Sequence, residues 1–209
     1  MENASKALII AGSVLIALIV ISMLVAFFNN LRSLVGTEET TKQTEQAAEF
    51  NKQYDAYARA VYGSELLSTA NKINDYNRRE ADGEGYQRIE LEVQINKDID
   101  QEYFKKGTLN SNELINKFKE VEEKINTIGN ETIASSANTK VSRKVSKLAT
   151  MRTADIEALG IEKVKYQTKV NEYNTYKTLL SQVKATPFKY VNFDYDKNNG
   201  RITKMIYSY

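Results

Sequence analysis

The sequence predicts an α+β fold: an N-terminal transmembrane helix continuing into an amphipathic helix, then a helical domain with a small antiparallel sheet that includes a C-terminal hairpin. Three observations lead there. Residues 7–28, ALIIAGSVLIALIVISMLVAFF, carry no charge. Ile89, Leu91, Val93 and Ile95 alternate with Arg88, Glu90, Glu92 and Gln94, the period of a strand buried on one face. Phe188 to Tyr195 and Arg201 to Tyr209 are aromatic and β-branched runs joined by DKNNG, where Asn199 and Gly200 suit the positive φ angles of a tight turn.

The apolar run comes first in the chain. With only Ser13 and Ser22 polar, it spans about 33 Å at the helical rise, enough to cross a bilayer. The anchoring side chains are Leu8, Ile9, Ile10, Val14, Leu15, Ile16, Leu18, Ile19, Val20, Ile21, Leu24, Val25, Phe27 and Phe28. A buried core helix would carry a polar stripe or sit inside a large protein, and residues 29–209 are few to enclose it. A cleaved signal peptide has an apolar region of about 7 to 15 residues ending at a small-x-small site, whereas this run passes into Phe27, Phe28, Asn29 and Asn30. Retention as an anchor is therefore expected. Lys6 on one side nearly balances Arg32 and Lys42 on the other. The short leader favours the N-terminus inside and the downstream domain outside the cell.

These features divide the chain into a leader at 1–6, a transmembrane helix at 7–28, a juxtamembrane helical stalk at 29–46 and a globular α+β domain at 47–209. Ala47, Phe50, Tyr54, Tyr57 and Val61 recur at helical spacing, predicting an amphipathic helix. Gly63 interrupts it, and Ser64 is expected to cap a second helix carrying Leu67, Ala70, Ile73 and Tyr76 or Asn77 on one side. Asp82, Gly83 and Gly85 predict a turn, and Gln87 to Asn96 the strand. Asn110 with Glu113 three residues later is a capping-box signature. Leu114, Phe118, Val121 and Ile125 follow at helical spacing until Gly129. Over 130–160 the Ser/Thr density also fits strand or loop, but Val141, Val145 and Leu148 fit a helix, which is the expectation here. Val170, Tyr173, Tyr176, Leu180 and Val183 predict a last helix, closed before Pro187 because a residue preceding proline is pushed out of the helical region.

Composition narrows the chemistry. The chain has 29 Lys and Arg against 27 Asp and Glu, so no broad positive field draws in nucleic acid. It contains no Cys, His or Trp, which removes disulfides, Cys and His nucleophiles, His bases and Cys/His zinc sites. No cofactor, metal or small-molecule substrate is expected, and the chain is read as non-enzymatic.

The remaining motifs have ordinary readings beside sharper ones. Asp194, Asp196 and Asn198 open like a calcium loop, but Asn199 and Met205 stand where Gly and a bidentate Glu belong, which favours a hairpin turn. Asp98, Asp100 and Glu102 are either paired carboxylates or a solvated strand end. Ser22-Met23 shares a dipeptide with membrane signal peptidases but lacks the following Pro. Asn130-Glu131-Thr132 fits the glycosylation pattern. Tyr190, Phe193, Tyr195, Tyr207 and Tyr209 form either a recognition surface or cross-strand packing.

The order of parts, a short leader, an uncharged helix, an amphipathic extension and a sheet-containing domain, resembles type IV pilins and pseudopilins. In that family a peptidase cuts ahead of the apolar helix, and a Glu at the fifth mature position aids filament assembly. Lys6-Ala7-Leu8-Ile9-Ile10 is similar to the cleavage region, with Gly12 standing fifth after Ala7. The start MENASKALIIAG, the segment Tyr62-Gly63-Ser64-Glu65-Leu66-Leu67 through Asn71-Lys72, and the ending Gly200-Arg201-Ile202-Thr203-Lys204-Met205 resemble uncharacterised single-pass proteins of Gram-positive Clostridia. The expected function is that of a membrane-anchored envelope or surface protein, with a pilin-like structural subunit as its specific form. Its expected partners are the lipid bilayer and either itself or other envelope and pilus subunits. The competing reading is an extracytoplasmic ligand-sensing or cell-wall-binding domain.

Overall fold

The computed structural model describes residues 2–80 and 87–209, with only the backbone for 2–11, 17, 28–43 and 80. The turn expected at Asp82, Gly83 and Gly85 lies outside the described residues. The described chain is α+β and divides into two compact units, residues 1–53 with 197–201 and residues 54–196 with 202–209.

The first unit is built on helix α1, Glu2–Asp55, which runs for 54 residues, about 80 Å at the helical rise. Near its C-terminal end α1 meets the tip of the C-terminal hairpin. Asn51 Nδ2 donates to the Gly200 carbonyl at 2.8 Å, the Arg201 guanidinium sits 5.2 Å over the Phe50 ring, and Ala47 is buried. Gly200 has φ +72°, while no non-glycine residue among those described takes a positive φ. The expectation that Asn199 shares the left-handed conformation is thus corrected: the loop is longer than a two-residue turn, and one glycine supplies its reversal.

The second unit holds a five-stranded sheet in the order β1-β6-β7-β2-β3. The strands are β1 Val61–Tyr62, β2 Glu90–Ile95, β3 Gly107–Asn110, β6 Pro187–Tyr195 and β7 Ile202–Ser208. A separate pair joins β4 Thr132–Ala134 to β5 Ser142–Lys144. The C-terminal hairpin β6–β7 forms as expected, but the sheet is mixed, because β7 lies parallel to β2 with Leu91 opposite Met205 and Val93 opposite Tyr207. Parallel neighbours need a long crossover, and everything from β3 to β6 supplies it. Local alternation carries no information about such a distant partner.

On β2 the alternation holds, with Leu91, Val93 and Ile95 buried. On β6 the buried residues are Phe188 and Phe193, an odd spacing that plain alternation forbids. A bulge at Val191, between the pairs Tyr190–Tyr207 and Asn192–Ile206, shifts the phase so that both rings face inward. Phe193 and Tyr207 meet edge to face at 6.3 Å.

Helices α2 Gly63–Glu80, α3 Ser111–Asn130 and α6 Lys163–Ala185 pack against one another, and α2 and α3 also contact the sheet. Helix α1 stops at Asp55, and Val61 lies in β1 instead of extending the amphipathic helix. Helix α2 opens at Gly63, where a Cβ would fall 2.0 Å from the Val183 carbonyl oxygen, so only glycine fits. Ser64 therefore lies inside the helix, and Glu65 supplies the cap-like acceptor for the Tyr62 N–H at 2.9 Å. The buried face of α2 is Leu66, Thr69, Ala70 and Ile73, with Leu67 only half-buried. In α3 the capping box between Asn110 and Glu113 is present on both sides, a feature that typically contributes about 1 kcal/mol. Gly129 remains helical and lies where a Cβ would sit 2.8 Å from the Tyr173 ring. The helix ends because Glu131 turns extended at φ −57°, ψ 140°.

The helix expected between 130 and 160 is largely absent. That stretch forms β4, β5 and two short helices, α4 Val145–Leu148 and α5 Thr153–Ala158. These close a second core of Ile128, Val145, Leu148, Ile156, Ile161, Tyr166 and Val170. The N-terminal half of α6 serves this core, and Val183 is buried near its other end.

Two phenols are deep in the second unit. Tyr207 donates to the Tyr57 carbonyl at 2.7 Å, and burial raises its pKa well above the usual tyrosine value. Tyr54, 1% exposed, is pushed up to about 12, first by burial and then by Tyr76 and Tyr57. A folded-state pKa raised above its unfolded value favours the protonated state, so its contribution is complete below about pH 10 and disappears as pH rises toward 12. The chemical-denaturation midpoint should be steady from pH 8 to 10 and fall beyond it, with Tyr54→Phe flattening the fall. An equal fall in the variant would contradict burial of this phenol.

Candidate functional site

The expected anchor lies within α1. The side chains of Leu8, Ile9, Ile10 and Phe28 fall outside those described. The others are all exposed, from 47% at Ile19 to 63% at Ile16, with Phe27 at 60%. Successive helical residues are turned by about 100°, so the four consecutive residues Leu18 to Ile21 sample every side of the helix. All four are exposed. Ser22 turns its hydroxyl back to the Leu18 carbonyl at 2.8 Å, which ties the Ser22-Met23 dipeptide into its own helix. Among the described residues no helix is long and apolar enough to cross a membrane.

A second candidate is a groove of about 650 Å³ between the segment following β2 and helix α6. Its outer wall is braced by carboxylates. Asp98 accepts the Lys106 N–H at 2.6 Å, and Asp100 accepts those of Tyr103 at 3.0 Å and Phe104 at 2.5 Å. The Ile99 N–H reaches the Phe104 carbonyl at 2.9 Å, and Phe104 packs at 5.3 Å from Phe118 with no exposure. Two of the three carboxylates singled out in the sequence, Asp98 and Asp100, thus serve as backbone acceptors that fold a tight loop. They do not converge as an acid and base pair.

Glu102 points the other way and accepts the Tyr176 hydroxyl at 3.2 Å. Tyr176 meets Tyr103 edge to face at 6.2 Å, with Lys124 Nζ 5.8 Å from its ring centre. Burial first, and then Glu102, raise the pKa of both phenols. They remain neutral hydrogen-bonding groups across the physiological range. Helix α6 supplies the inner wall: Asn174, Thr178 and Gln182 recur every four residues along one stripe beside Leu179. No signal in the apolar spacing of α6 marks this stripe. The cue available in the sequence is the run of amide and hydroxyl residues where a solvated helix usually carries Lys and Glu.

The other sequence candidates stay dispersed. Asp194 accepts from Asn192 Nδ2 at 2.7 Å, its backbone carbonyl accepts from Thr203, and no cluster of acidic residues among those described could hold a metal ion. Asn130 accepts Lys144 Nζ at 2.9 Å. Of the aromatic endings, Phe193 and Tyr207 are core, while Tyr190 and Tyr195 keep 38% and 51% of their surface exposed.

No protein-family model, curated protein or solved structure matches the chain.

Removing the Asp100 carboxylate leaves the loop amides without their acceptor. Asp100→Ala should cost about 1 to 2 kcal/mol and speed hydrogen exchange at the Glu102, Tyr103 and Phe104 amides. Unchanged exchange would show that the loop is held by other contacts.

Proposed function

We propose that this chain is a membrane-anchored, non-enzymatic envelope protein, held in the bilayer through residues 7–28 with its C-terminal domain outside the cell. A pilin-like structural subunit is its specific form. The observation that carries this reading is the continuity of α1 with its exposed apolar surface. One helix runs from Glu2 to Asp55, and the described apolar side chains from Val14 to Phe27 are exposed around its whole circumference. Such a surface is unfavourable in water by about 25 cal/mol per Å², and a helix apolar all round belongs inside lipid or inside a bundle of its own kind. Both coverings fit a subunit that is stored in a membrane and then packed into a filament.

Gly12 stands where the resembling family carries its assembly Glu. Filament packing here would therefore rest on apolar contact without a buried charge pair. The absence of His and Cys from the whole chain is consistent with a structural role. A second reading, ligand binding by the outer domain, draws on the braced groove between the Asp98–Lys106 loop and α6.

The pilin-like form makes a direct prediction for protein isolated from its native host. The mature chain should begin near Ala7 and appear in sheared filaments. An intact N-terminus with all the protein retained in the membrane fraction would eliminate that form and leave an anchored monomer.

A further inference from the structure

We propose that the groove between the Asp98–Lys106 loop and α6 binds a short, uncharged oligosaccharide; this rests on the ligand-binding reading of the outer domain. The argument begins with hydrogen-bonding capacity. Asn174, Thr178 and Gln182 on α6, and Gln101 across the groove, are exposed and make no side-chain hydrogen bond among the described residues. Three side-chain amides and one hydroxyl, each able to donate and accept, therefore face one cleft. The α6 residues repeat every four positions, about 6 Å apart along the axis and about 12 Å from first to last. That is the reach of a few linked sugar rings.

Charge narrows the class further. Among the described residues no Lys or Arg lines the groove, while Asp100 and Glu102 do, and the nearby Lys124 is turned onto the Tyr176 ring, so a phosphate or carboxylate ligand meets like charge on the lining itself. Asp100 is already turned toward backbone amides, and Glu102 toward Tyr176. Both carboxylates thus already accept hydrogen bonds from the protein, and a neutral ligand adds no charge that they must balance. What remains is a neutral molecule rich in hydroxyl and amide groups.

The floor supports the same class. Ile99 and Leu179 are half-buried and apolar, and Tyr176 adds a ring at one side. Sugar rings carry polar edges and less polar C–H faces, so one ligand satisfies both the floor and the rim. The wall is held in advance by the Asp98 and Asp100 contacts and by Phe104, which lowers the ordering cost of binding.

The test uses the full chain in zwitterionic detergent micelles, followed through the side-chain amide resonances of Gln101, Asn174 and Gln182. The probes are the tetramer of N-acetylglucosamine, the tetramer of glucose and tetra-alanine with both ends blocked. Saturable shifts with either sugar, weakened at least fivefold by Thr178→Val and by Gln182→Leu, are expected. Both substitutions fall on the exposed face of α6, and an unchanged backbone spectrum verifies the fold. Shifts with the blocked peptide alone would overturn the oligosaccharide while keeping a ligand site. No shift with any probe, or sugar shifts that the substitutions leave unchanged, would overturn the proposal.

Discussion

The dominant constraint on this molecule is the apolar surface of α1. From Val14 to Phe27 the described large apolar side chains are exposed on all sides, so covering one face, as a globular domain does, leaves the others in contact with water. Only an environment that surrounds the helix removes the penalty, and the hydrophobic effect favours that strongly over so many side chains. At its other end the same helix is tied down by specific contacts. Asn51 to Gly200 and Arg201 over Phe50 fix its last turns to the hairpin tip. Because the backbone is helical throughout, a single element carries both the apolar surface and these contacts within the first unit.

The second unit is organised around its buried residues. Its hydrophobic residues are spent on two cores, one beneath the mixed sheet and one beneath α4 and α5. The bulge at Val191 lets β6 commit both phenylalanines inward while Tyr190 and Tyr195 remain partly exposed. Its shifted titratable groups are phenols raised by burial and surface carboxylates and cations paired with one another. Raised phenols are poor bases at neutral pH.

Much of this was legible from local pattern. The β2 alternation, the Asn110–Glu113 capping box, the end of α6 before Pro187 and the β6–β7 hairpin all follow from interactions within a few residues. The parallel pairing of β2 with β7 depends on partners more than a hundred residues apart, and no local periodicity encodes it. At the start of α2 the close Val183 carbonyl on a distant helix leaves room only for a glycine at position 63, and the nearby Ser64 misleads as a cap. Between 130 and 160, segments of three to six residues are too short to display a period, and their structure comes from the shared core. The groove stripe on α6 is not legible in the sequence, because Asn, Thr and Gln at four-residue spacing look like any solvated face until the opposing loop is in place.

The absence of native cysteine permits one decisive measurement. Thr139 lies exposed between β4 and β5, and Thr139→Cys introduces a single thiol into the second unit. With an anchored helix and an outward domain, a membrane-impermeant maleimide labels this thiol in intact cells, and the labelled protein sediments with the membranes. Labelling that requires prior permeabilisation, or labelled protein that partitions free of both membranes and filaments, would contradict the anchored, outward-facing arrangement.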